Sequence, residues 1–187
     1  MARARSHRPF FARAQLLLAD QPGSFVSRPV DHWEFQWGGI PGDRHFGLTK
    51  PAGSREPWYP AGTVIANRRQ LTVVGALELA AIADQLGLAA CRGEWLGANV
   101  VLDGVPAVTD LPAGTRMLWP SGASLAVEGE NRPCRHPGQV IAEATSRVEL
   151  AARFVAAARG RRGVICIVEH PGPARSGEMV TVFLPRG

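Results

Sequence analysis

The amino-acid sequence predicts a mainly β fold with a few helices, an α+β chain whose strands close or nearly close on themselves. Short apolar or alternating segments recur along the chain, and 21 glycines and 15 prolines punctuate them. Helical periodicity is confined to two stretches. At 187 residues and 45% hydrophobic content the chain can bury a sizeable core.

In chain order, residues 15–19 form an apolar run, and residues 30–37 alternate aromatic and polar side chains. Residues 64–65, 99–102, 115–119, 124–128, 163–169 and 179–184 are further strand candidates separated by turn residues. A series of this kind suits a barrel-like closure, which removes exposed sheet edges. The first helix is expected over residues 76–86. There Leu79, Ile82, Ala83 and Leu86 make one stripe, and Gly87 is placed to cap the C-terminus. A second is expected where Ser146-Arg147-Val148-Glu149 has the form of a capping box, running through Arg159 to a stop at Gly160.

The formal charge of +5 is unevenly spread. Arg3, Arg5, Arg8 and Arg13 precede the first acidic residue, Asp20, and without them 17 basic residues face 16 acidic ones. The expected organisation is therefore a basic tail over residues 1–12 and a near-neutral domain over 13–187, with salt-sensitive attraction to polyanions but no specific nucleic-acid surface. No apolar run approaches the ~18 residues that span a bilayer, so no membrane role is expected. Three cysteines are too few for a disulfide framework, and a reducing, cytoplasmic location is expected. The single lysine, Lys50, lies in a stretch that reads as a mobile loop, so pyridoxal phosphate is disfavoured as a cofactor.

Chemistry concentrates in Glu128-Gly129-Glu130-Asn131-Arg132-Pro133-Cys134-Arg135-His136-Pro137. Neighbouring positive charge favours the thiolate, the form that acts as nucleophile and metal ligand. Pro133 and Pro137 remove two backbone donors and direct Cys134 to a shaped loop rather than a helix. The alternative is a small buried hydrophobe at a strand end. Cys166, inside an alternating apolar run, reads as core, and Cys91 reads as structural or as a resolving thiol. A second cluster is Gly42-Asp43-Arg44-His45-Phe46-Gly47. In an extended segment Asp43 and His45 project to the same side, so that Asp43 orients the imidazole; in a turn, Asp43 instead caps backbone amides. Zinc is a poorer reading, because Cys134-x-His136 is not a usual ligand spacing.

Gly39 to Gly47, Arg69-Gln70-Leu71-Thr72-Val73-Val74, Leu96-Gly97-Ala98-Asn99-Val100, Leu111-Pro112-Ala113-Gly114-Thr115-Arg116, Asn131-Arg132-Pro133-Cys134 and Arg162-Gly163-Val164 followed by Ser176-Gly177-Glu178 occur in this order. Together they resemble the MOSC domain, named for the C-terminal domain of molybdenum-cofactor sulfurases. The resemblance implies a β-barrel with peripheral helices that binds the molybdenum cofactor (molybdopterin), and a Cys134 that ligates molybdenum or carries sulfur. Asp43 and His45 become catalytic candidates beside Cys134, with Gly42, Asn99, Arg132 and Arg135 as cofactor-binding candidates. Ala98 and Glu178 depart from the family pattern. Two function classes follow. One is a small molybdoenzyme that removes oxygen from N-hydroxylated or N-oxide compounds and draws electrons from a separate reductase. The other is a sulfur carrier or cofactor-handling protein served by a cysteine desulfurase.

Overall fold

A computed structural model describes residues 8–19 and 24–185. Its strands are β1 (Phe10–Ala19), β2 (Arg28–Val30), β3 (His32–Phe35), β4 (Thr49–Pro51), β5 (Val64–Ala66), β6 (Leu71–Gly75), β7 (Val100–Asp103), β8 (Arg116–Leu118), β9 (Ser124–Glu130), β10 (Val164–His170), β11 (Gly172–Arg175) and β12 (Met179–Phe183). Its helices are α1 (Ala76–Leu86), α2 (Arg135–Thr145) and α3 (Leu150–Ala157).

Seven strands close a barrel in the order β12-β8-β9-β10-β6-β7-β1, with β1 pairing back to β12 and β2 extending from β1. Neighbours are antiparallel except β6 and β7 (Val73↔Val100), a parallel pair joined by a crossover that contains α1. Two small antiparallel pairs, β3 with β11 and β4 with β5, stand outside the barrel. Strand alternation sorts the side chains. Leu71, Val73, Val100, Leu102, Val164, Cys166, Val168, Val180 and Val182 fill the barrel interior with Phe35 and Trp119. Val74 and Val101 point outward into a second core with Leu79, Ile82 and Leu86 of α1 and Phe154 of α3.

The first helix matches its expected bounds, with Gly87 in the left-handed conformation at its C-cap (φ 64°). Other expectations are corrected. The tail boundary expected after residue 12 falls inside β1, where Phe10↔Val182 and Phe11↔Thr181 help close the barrel and Ala12 is buried. Arg3 and Arg5 lie outside the described residues. Lys50 lies in β4 rather than in a mobile loop, and its Nζ donates to Glu56 Oε1 at 2.7 Å. Helix α2 begins directly after Cys134 although Pro137 sits in its first turn. A first-turn proline is tolerated because the amides there lack an intrahelical acceptor. Ser146 opens no capping box; it closes α2 in the left-handed conformation (φ 55°), and α3 starts at Leu150. β4 and β11 are too short and too rich in turn residues to stand out locally.

Candidate functional site

The site lies against the outer face of the barrel. Thr72 and Ile165, outward-facing neighbours of buried Leu71, Val73, Val164 and Cys166, form part of its walls. Three adjoining cavities of about 220, 280 and 520 Å³ share Arg55 and Arg69. The smallest holds Cys134, with Arg44, His45, Arg132 and Arg162 among its other walls.

Cys134 is half-buried and is the N-cap residue of α2, in extended conformation (φ −128°, ψ 174°). The helix N-terminus adds partial positive charge to that of the arginines, which suits an anionic sulfur or ligand there. The preceding Asn131 is buried. Its backbone N donates to Gly163 O (2.9 Å), and its Oδ1 accepts from Arg69 Nη2 (3.2 Å). Gly163 has φ +74°, and a Cβ there would fall 1.9 Å from Val73 O, so only glycine lets the chain pass this close to β6.

The Asp43 and His45 cluster resolves into a turn that also orients the imidazole. Asp43 Oδ1 accepts from the His45 amide (2.7 Å) and from His45 Nδ1 (3.0 Å), while Asn99 Nδ2 donates to Asp43 Oδ2 (2.8 Å). Burial acts to raise the Asp43 carboxyl, but the hydrogen bonds from His45 and Asn99 outweigh it and hold the group below the usual carboxylate range. An ionised Asp43 keeps the proton of a neutral imidazole on Nδ1 and leaves Nε2 to act as acceptor. Asn99 is buried, and its Oδ1 accepts from Thr72 N (2.9 Å). Its amide is thus engaged within the protein, behind His45.

Arg162, absent from the sequence-derived candidates, is 5% exposed and has no carboxylate partner among the described residues. Its Nη2 donates to Leu96 O, and Nη1 is buried with no partner. Burial pulls its pKa down to about 10, against the upward pull of Cys134 and Cys91. Arg69 is lowered in the same way, first by burial and then by Arg55. An arginine placed directly before a glycine and a buried apolar strand was the available signal for this residue.

His45, Arg132 and Cys134 therefore share one cavity, with Asp43 and Asn99 behind it. Arg135 and Gly42 are exposed and form no part of its wall; Gly42 (φ +84°) serves the turn that places Asp43. His136 packs edge-on against Phe25, with ring centroids 4.3 Å apart. Cys166 is fully buried and its thiol is pushed up by burial, while Cys91 is pushed up to about 12 by the same cause. Both are core residues.

This barrel, with a cysteine in a cationic cavity on its flank, defines a class, and the MOSC domain family model matches residues 41–181: the chain belongs to the MOSC domain family. It is 47% identical over 172 residues to YuaD of Bacillus subtilis (strain 168), covering 91% of this chain and 90% of that protein. That relative is named provisionally for metal-sulfur cluster biosynthesis. The crystal structure of YuaD from Bacillus subtilis superposes with a TM-score of 0.91 at 45% identity, over 95% of this chain and 98% of that one. YiiM from Geobacillus stearothermophilus shares the fold alone, with a TM-score of 0.61 at 12% identity over 91% of this chain and 74% of the other.

Proposed function

We propose that this protein binds the molybdenum cofactor and reduces N-hydroxylated or N-oxide compounds, with Cys134 as the protein ligand to molybdenum. The observation that supports this most is the wall around Cys134. Arg69, Arg132 and Arg162 surround a soft sulfur donor, the buried Arg162 Nη1 has no partner, and no carboxylate lines the cavity. Such a wall fits an anionic, thiophilic group. Among the described residues no group of three or more His, Cys, Asp or Glu side chains could hold a metal ion. A metal at Cys134 would thus take its remaining ligands from a cofactor.

When bound, the cofactor supplies the two-electron chemistry. Overall, R–NH–OH takes two electrons and two protons to give R–NH2 and water, with cleavage of the N–O bond and electrons from a separate reductase. The protein's part is to bind, orient and protonate. Arg69, Arg132 and Arg162 would hold negative charge, and Asp43 fixes the His45 ring with its proton on Nδ1, so that Nε2 is the atom that can take up a proton at the cavity and pass it on.

The name of the relative YuaD favours a second reading, in which Cys134 carries sulfur. A desulfurase persulfide, E–S–SH, would pass its outer sulfur to the Cys134 thiol, giving Cys134–S–SH and the free thiol E–SH.

The test is metal and sulfur analysis of protein made in a host that synthesises the cofactor. Stoichiometric molybdenum with releasable pterin, lost in Cys134→Ser, is the expected result. Metal-free protein carrying sulfane sulfur on Cys134 overturns the enzyme reading in favour of the carrier, and absence of both removes each.

A further inference from the structure

Two buried polar residues, Glu78 and Thr109, line none of the cavities around Cys134. Glu78 lies in the first turn of α1, and Thr109 in the connection between β7 and β8. Both oxygens of the Glu78 carboxylate are engaged by backbone: Oε2 accepts from Gly75 N (3.0 Å) and Oε1 from Thr109 N (2.7 Å). The first bond caps α1, as a glutamate at the third helical position commonly does. A glutamine would cap as well without burying a charge, so the cap does not account for the carboxylate. The second bond does. Two backbone donors need two acceptor oxygens, and a side-chain amide has one.

From Thr109 the contacts lead to the site. Its Oγ1 accepts from the buried Gly163 N (2.7 Å), which belongs to the peptide that joins Arg162 to Gly163. Gly163 O accepts in turn from Asn131 N (2.9 Å). Arg162 and Asn131 both line the cavity that holds Cys134, and Asn131 stands three residues before the cysteine. The Arg162 guanidinium makes one hydrogen bond among the described residues, to Leu96 O, and its Nη1 has no partner. The place of that charge beside the sulfur therefore depends on how firmly the main chain at Gly163 is held.

We infer that Thr109 and Glu78 are positioning residues for the Cys134 site. Thr109 fixes the peptide before Gly163, and Glu78 fixes Thr109, so that the Arg162 charge and the segment from Asn131 to Cys134 keep their mutual place. The inference rests on the reading above only in taking Cys134 as the reacting group; it needs neither molybdenum nor sulfur on it.

The test uses the full chain made in a host without the molybdenum cofactor and reduced with dithiothreitol, so that Cys134 carries a free thiol. Its alkylation rates are measured at one pH with iodoacetate, which is anionic, and with iodoacetamide, which is neutral. Their ratio cancels the thiolate fraction and reads the positive charge at the sulfur. Arg162→Met should lower the iodoacetate to iodoacetamide ratio by about threefold, the effect of one charge a few ångströms away in a wet cavity. Thr109→Val should lower it by a similar factor, Glu78→Gln should lower it in the same direction, and Thr109→Ser should keep the wild-type value. Cys166→Ser, which destabilises the core outside this network, should leave the ratio unchanged. Should Thr109→Val not fold, Glu78→Gln carries the test. A ratio unmoved in either folded variant, unmoved by Arg162→Met, lost in Thr109→Ser, or lowered as much by Cys166→Ser overturns the inference. Whether Cys134 holds molybdenum or sulfane sulfur is decided separately by metal and sulfur analysis.

Discussion

Asn99 donates to Asp43 across 56 residues of sequence, through a 2.8 Å hydrogen bond that sets one wall of the site. Asn99 is itself fixed by Thr72 of β6, so the orientation of His45 is tied to the barrel by a chain of buried polar contacts. Removing a partner from such a chain leaves a buried group unsatisfied, which costs more than the bond it loses.

Asn99→Ala should therefore destabilise the protein by about 1–3 kcal/mol in urea unfolding. It should also release the His45 ring, seen by NMR as a mixture of imidazole tautomers in place of one. An unchanged tautomer would remove Asn99 from the positioning of His45.

The Asp43 carboxyl is lowered in the folded state, so the sign of its pH linkage is defined. Its stabilising contribution is fully present above the unfolded-state value of about 3.9 and is lost as pH falls through the lower folded value. Unfolding free energy should fall below about pH 4, and Asp43→Asn should flatten that part of the profile. A profile identical in the two proteins would show that the network carries no such linkage.

The three thiols should separate by accessibility. In native protein iodoacetamide should label Cys134 alone, with Cys91 and Cys166 reacting only on unfolding, because both are buried. Cys166→Ser should cost about 1–3 kcal/mol by placing a hydroxyl in the barrel core, whereas Cys134→Ser should leave stability within about 0.5 kcal/mol.

Gly163→Ala should be among the most damaging single changes, at least about 3 kcal/mol, because the new methyl meets Val73 O and the positive φ disfavours any side chain. Gly42→Ala, where a Cβ meets nothing within 4 Å, should cost only about 1–2 kcal/mol from its backbone conformation. Thermal melts of the two variants make the comparison directly.

Truncation separates the basic start from the barrel. Deleting residues 1–7 removes Arg3 and Arg5 and should weaken retention on a polyanion column at low salt without lowering Tm. Deleting residues 1–12 also strips Phe10 and Phe11 from their pairing with β12 and should lower Tm by several degrees, at roughly 2–4 °C per kcal/mol for a chain this long.

Features that act over a few residues were legible in the chain. Alternation placed Cys166 in a core, a stripe of Leu79, Ile82, Ala83 and Leu86 with Gly87 defined α1, and the recurring short strands indicated a closed β fold. The MOSC motifs, read in order, named Cys134, His45 and Asp43 before any contact was visible. Local signals failed at α2, where Pro137 occupies a first turn that tolerates it, and at Ser146, whose capping-box pattern ends a helix instead of starting one. Tertiary structure alone decided which loops meet. Antiparallel pairing of β10 with both β9 and β6 brings Arg69, Arg162 and Cys134 to one cavity, which Arg55 enters from the connection between β4 and β5. That convergence depends on long-range strand pairing, whose register no single segment encodes, and the unpartnered charge of Arg162 acquires meaning only once burial removes it from water.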